Sequence, residues 1–206
     1  MKMGRVVIAL SLLGIVARPV CAAPSFEETA RQVIIAFQQQ DNAKINALID
    51  KKTGLYVMYR LGSGDVYKWS TQFDFNQPVT EMASMFMRWN TDHIPNDAEF
   101  NYRARYDYRT TASFVCEQGW DRAGVFVSYD DTILSFSITN ASLDDKSAAI
   151  DAKIAAARRL ELQSKRVVVV SKQWDDGLIF HLSELHGLNG GWNLTLLDFA
   201  SADCSA

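Results

Sequence analysis

The chain is poor in the features that announce a specific chemistry. It has no lysine- or arginine-rich run, no internal repeat and no low-complexity tract, and beyond its first residues no segment is apolar enough to span a bilayer. None of the patterns G-x-S-x-G, H-E-x-x-H, P-loop or G-x-G-x-x-G stands in it. The stretch DNAKINALIDKK lacks the alternating oxygen ligands of a calcium loop. These absences argue against a nucleotide-binding or metal-dependent enzyme built on a common motif, and no cofactor and no metal are expected. Cysteine is scarce as well, with three in 206 residues.

What is present begins at the N-terminus. MKMGRVVIALSLLGIVARPVCAAP joins a basic start (Lys2, Arg5) to an apolar run from Val6 to Ala17, then to small residues at Ala22 and Ala23. That is the layout of a secretory signal peptide. A spanning anchor would need roughly 20 apolar residues, whereas this run holds about a dozen and is closed by Arg18 and Pro19. A lipoprotein cysteine would need a small residue before Cys21, and Val20 is a poor one. The sequence therefore predicts a signal peptide over 1–22 cleaved near Ala22, and one domain over 23–206 that is periplasmic or secreted, with no membrane span in the mature chain.

Compartment decides how the rest is read. Without Lys2, Arg5 and Arg18, 18 basic residues face 24 acidic ones, a net charge of −6. Nucleic acid and anionic membrane are poor partners for such a chain. Cys116 and Cys204 remain, and in an oxidising compartment an even pair predicts one disulfide. Neither lies in a C-x-x-C unit, which disfavours a metal site, and a free exported thiol would oxidise rather than catalyse.

Periodicity supplies the elements. Ser25 and Glu28 have capping-box spacing, and Phe26, Ala30, Val33, Ile34 and Phe37 then recur at helical intervals. Asp41 reads as the N-cap of a short second helix carrying Ile45, Leu48 and Ile49, stopped at KKTG. LYVMYR reads as a strand, Val66 to Gln77 has no clean period, and Val79, Met82, Phe86 and Trp89 return to helical spacing. FNYRARYDYR, Phe100 to Arg109, alternates fully and predicts a strand. DTILSFSI is read as another strand, and SLDDKSAAIDAKIAAARRLELQ as the longest helix, starting at Ser142. KRVVVVSKQ, LIFHLSEL and WNLTLLDFAS close the chain as a three-strand antiparallel meander. Helices grouped against an antiparallel sheet give an α+β fold, with N-terminal helices and one long later helix on a curved sheet.

The paired opening helices before GLYVMYR, the Cys116 to Trp120 region and the closing WNLTLLDFASADCSA resemble a group of uncharacterised exported bacterial proteins. The general layout resembles the nuclear transport factor 2-like (NTF2-like) cone, in which helices close over a curved antiparallel sheet. The second resemblance implies a pocket on the concave sheet face, in a superfamily that holds both enzymes and non-catalytic binding domains.

Two sets of residues are candidates for chemistry. His181, in LIFHLSEL, shares a strand side with Ile179 and Ser183, where it could act as a general acid or base helped by Glu184 or Asp198. On one face of Phe100 to Arg109, Arg103, Arg105 and Arg109 flank Asp107 and could grip a carboxylate or phosphorylated ligand. On the other face Tyr102 and Tyr106 are core residues or, if the sheet bends around a cavity, pocket lining. The expectation is an exported, non-catalytic domain that binds a small molecule or an envelope or secreted protein; the alternative is a small hydrolase- or isomerase-like enzyme using His181.

Overall fold

Strand β1 (Leu55–Leu61) sits between two partners that the sequence places far apart. One is β2 (Gly64–Ser70), its hairpin neighbour, and the other is β9 (Trp192–Asp198), almost the last segment of the chain. This is seen in a computed structural model that describes residues 23–61, 64–77, 98–103, 111–129, 132–143, 147–171, 177–185, 191–202 and 204. α1 (Phe26–Gln39) and α2 (Asn42–Ala47) precede β1, and between β2 and β9 lie β3 (Phe100–Tyr102), β4 (Phe114–Val115), β5 (Gly119–Trp120), β6 (Gly124–Ser128), α3 (Ile133–Ala141), α4 (Ala148–Glu161), β7 (Ser164–Val170) and β8 (Gly177–Glu184). Seven strands form one sheet in the order β2-β1-β9-β8-β7-β6-β3, and β4 with β5 forms a small separate hairpin.

The fold is α+β, with four described helices on a large mixed sheet. β7, β8 and β9 make the predicted antiparallel meander. The sheet is not antiparallel throughout, however, because β1 runs parallel to β9 and β3 parallel to β6. Parallel partners need long connections and leave no hairpin turn in the sequence to announce them.

Side-chain alternation divides the core in two. Val57, Val167, Phe180 and Leu197 point to the face covered by α1 and α2, while Met58 and Leu196 point to the face covered by α3 and α4. Helices thus cover both faces of the sheet. The five apolar residues predicted for α1 are all buried, and each large one contributes roughly 1.5–3 kcal/mol by leaving water. Ser25 Oγ accepts from the Glu28 backbone N–H at 3.2 Å, and Asp41 Oδ1 caps α2 by accepting from Ala43 and Lys44. Asn42 and Asn46 of α2 then bond the backbone of Phe73 and Phe75, so side-chain amides fix a segment that has no period of its own.

The stretch DTILSFSI is helical rather than extended. Leu134 and Ile138, one turn apart, are both buried against Met58, Leu196 and Ala157, while Phe136 points outward. The local β preference of Ile and Phe yields here to tertiary packing. With α3 ending at Ala141, the next helix starts later than Ser142 predicts, at Ala148 with Ser147 as N-cap. Gly54, at the end of KKTG, has φ +74°, and a side chain there would collide with the indole of Trp69.

Cys116 and Cys204 form the predicted disulfide, with Cα atoms 5.5 Å apart. It fastens the β4–β5 hairpin to the segment following β9, whose Phe199 N–H also bonds Met58 O at 2.9 Å. The predicted signal peptide over 1–22, the predicted helical stretch around Val79–Trp89 and the part of the predicted strand from Ala104 to Arg109 lie outside the described residues.

Candidate functional site

An opening lies on the α3/α4 side of the sheet. It is a cleft of about 1040 Å³ bounded by α3, the C-terminal turn of α4, the start of β7 and Tyr129 just beyond β6. That volume is at the upper end of the range for small-molecule pockets. Its position follows from two turns: β6 hands over to α3 within a few residues, and α4 hands over to β7 between Glu161 and Ser164.

The rim is apolar. Tyr129, Phe136 and Leu162 are 50%, 59% and 87% exposed, and three of the seven large hydrophobics exposed among the described residues meet at this one cleft. Clustering of that kind marks binding surfaces more than scattered exposure does.

The floor is polar and internally organised. Glu161 is buried, and its Oε1 accepts the backbone N–H of Ser135 at 2.8 Å. Ser135 stands in the first turn of α3, where Thr132 supplies no side-chain cap. A carboxylate from α4 thus takes the place of the missing cap, and the positive end of the α3 dipole favours its charge. Ser135 Oγ donates to Thr132 O and Thr139 Oγ1 to Ser135 O, so these hydroxyl protons are used within α3 and the oxygens remain acceptors. Ser164 Oγ donates to Leu160 O at 2.7 Å. Ser183 must then donate to Ser164, and Thr195 to Ser183, in a line of hydroxyls at 2.6 and 2.7 Å that runs from the cleft into the sheet.

Arg158 lies on the same helix face as Glu161, one turn earlier, and is exposed at the cleft wall. Among the described residues its guanidinium makes no hydrogen bond or ion pair.

A second opening of about 550 Å³ flanks the edge strand β3, between Glu99, Asn101, Tyr102 and Arg122. Tyr102, a predicted pocket-lining residue, stands here. Its hydroxyl donates to Glu27 at 2.7 Å, and its ring stacks on Tyr129 with centroids 6.5 Å apart. Burial and the bond to Glu27 together push its phenol well above the ordinary range. Nearby, the Lys165 ammonium sits 4.5, 4.6 and 5.2 Å from the ring centres of Phe26, Trp192 and Tyr129. Burial lowers this amine below its ordinary value, opposed in part by Glu184 and Glu27.

The predicted site residues scatter. Arg103 follows β3 and its backbone N–H bonds Val127 O at 2.9 Å, while Arg105, Tyr106, Asp107 and Arg109 lie outside the described residues. His181 is on the predicted strand side with Ile179, but it is only 3% exposed, in register between Arg166 and Leu196. It lines neither opening. Asp198, its suggested helper, accepts from Ala200 N, Ser201 N and Ser201 Oγ at 3.0, 2.9 and 2.6 Å and so shapes the turn after β9. The α3/α4 cleft is not evident in the sequence, because the composition of DTILSFSI favours a strand where α3 stands. The signal that could have found it is the Leu134/Ile138 spacing beside an outward Phe136.

Fold and site together define an α+β domain with an open amphipathic cleft on one helical face. No protein-family model, no curated protein and no solved structure matches this chain.

Proposed function

We propose that this chain is an exported binding protein that holds a small, largely apolar molecule in the α3/α4 cleft and performs no chemistry on it. The observation that carries the reading is the convergence of exposed Tyr129, Phe136 and Leu162 on one cleft of about 1040 Å³ whose Ser135, Thr139 and Ser164 hydroxyls donate to backbone carbonyls. Those bonds tie the cleft's polar side chains to α3 and α4 without a ligand, and preorganisation of that kind lowers the cost of binding. A catalytic reading through His181 has less support, since the imidazole is buried and borders neither opening.

Export into the periplasm or the medium is part of the same proposal. It is supported by the N-terminal pattern of residues 1–22 and by the Cys116–Cys204 disulfide, which is compatible with an oxidising, extracellular location. Intact mass of the protein recovered from the cell exterior or periplasm tests it; a mature chain starting near Ala23 is expected.

The binding claim is tested with Nile red, a neutral dye that brightens in apolar surroundings. The wild-type protein is expected to bind it saturably, and Phe136→Asp, at an exposed position in α3, to weaken binding at least about tenfold while circular dichroism confirms that the variant is folded. Equal binding by the variant would remove the cleft from the account.

A further inference from the structure

Beside its apolar rim the cleft carries two titratable side chains, Glu161 and Arg158, and they differ in availability. Glu161 is 8% exposed: its Oε1 accepts the Ser135 N–H and its Oε2 is shut away from solvent, so the carboxyl group is out of a ligand's reach. Arg158 is exposed on the wall and, among the described residues, makes no hydrogen bond or ion pair. Among the described residues Arg31, Arg60, Arg103, Arg122 and Arg166 each have a partner, whereas Arg158 and its neighbour Arg159 make no hydrogen bond or ion pair, and of these two only Arg158 lines the cleft.

We infer that the ligand is an anionic amphiphile, a carboxylate on a medium-length apolar body. Its chain would lie over Phe136, Leu162 and Tyr129, and its head would take the Arg158 guanidinium in a charge-assisted pair. Charge complementarity selects this class over the alternatives. An ammonium head would face Arg158 directly and would find the Glu161 carboxyl group buried beneath the surface. A neutral head would leave the guanidinium without a partner. The mature chain is net acidic, so the attraction is local to the end of α4, where Arg158 and Arg159 sit together. The inference rests on the binding function proposed for this cleft.

The experiment is displacement of Nile red from the full mature protein by decanoate, decanol and decylamine, in wild type, Arg158→Gln and Arg159→Gln. Decanoate is expected to displace the dye at concentrations about tenfold lower than decanol and lower still than decylamine. Arg158→Gln is expected to abolish the difference between decanoate and decanol, while Arg159→Gln, whose side chain does not line the cleft, leaves it in place. If the dye binds but decylamine or decanol equals decanoate, or if Arg158→Gln changes nothing, the charge inference is wrong and the binding function stands. If the dye does not bind at all, the binding function fails and this inference falls with it.

Discussion

Glu161 Oε1 lies 2.8 Å from the backbone nitrogen of Ser135, so the last residue of α4 caps the first turn of α3. The two helices that form the cleft are thereby fixed to each other through a buried, charge-assisted bond. Glu161→Ala is expected to lower stability by about 2 kcal/mol, the range for a lost cap combined with an exposed helix dipole in a buried setting. Glu161→Gln keeps an acceptor but not the charge and should lose about half of that. Urea denaturation measures both, and an unchanged midpoint for Glu161→Ala would contradict the capping role.

The Cys116–Cys204 bridge closes a sequence separation of 88 residues. Chain entropy alone makes such a closure worth roughly 4–5 kcal/mol. The double variant Cys116→Ser/Cys204→Ser should lose up to this amount, and wild type in excess dithiothreitol should approach the variant's denaturation midpoint. A loss below about 1 kcal/mol would mean that the hairpin and the segment after β9 are held by packing instead.

Stability should fall in acid for an identifiable reason. Asp41, Asp50, Asp74 and Asp121 are all held below the ordinary 3.8, chiefly by the Lys44 ammonium, the Thr53 N–H, the Asn76 N–H and the Arg122 guanidinium respectively. Lowered folded-state values stabilise above the unfolded pKa, and the contribution is lost as pH drops through the folded ones. Thermal midpoints should therefore be flat above about pH 5 and decline below about pH 4. On the alkaline side Tyr102 is raised, so its contribution is complete below pH 10.0 and is lost above it. Lys165 is lowered, and its burial penalty is relieved as pH climbs toward 10.5. Tyr102→Phe should abolish the part of the alkaline decline that belongs to the phenol.

A fourth expectation concerns Gly177, at the start of β8. A Cβ there would stand 2.8 Å from the Trp120 indole, so the hairpin carrying Cys116 lies directly on this glycine. Gly177→Ala should cost about 1–3 kcal/mol by overpacking and change the near-ultraviolet circular dichroism as the indole shifts. A variant as stable as wild type would show that the hairpin moves aside freely.

Much of the fold is readable from local pattern. Ser25 with Glu28, Asp41 before α2, and the alternation through Val167–Val170 and Leu178–Leu182 each carry their structure in adjacent residues. What escaped the sequence is what depends on distant partners. β1 meets β9 and β3 meets β6 in parallel, without a turn to signal either pairing. The helix at Ile133–Ala141 wins over a β-favouring composition only because Met58, Leu196 and Ala157 are there to bury Leu134 and Ile138. The candidate site was the least legible part. Tyr129, Phe136, Arg158 and Leu162 form no motif and become one surface only after α3 and α4 pack together. His181 looked chemical in isolation, yet its place in a central strand buries it.

The most direct measurement is amide hydrogen exchange on the full mature chain, with and without saturating decanoate. Binding in the cleft predicts slowed exchange confined to peptides covering residues 132–140 and 158–164, with residues 98–109 unchanged. Protection centred on 98–109, or no protection anywhere at saturation, would contradict it.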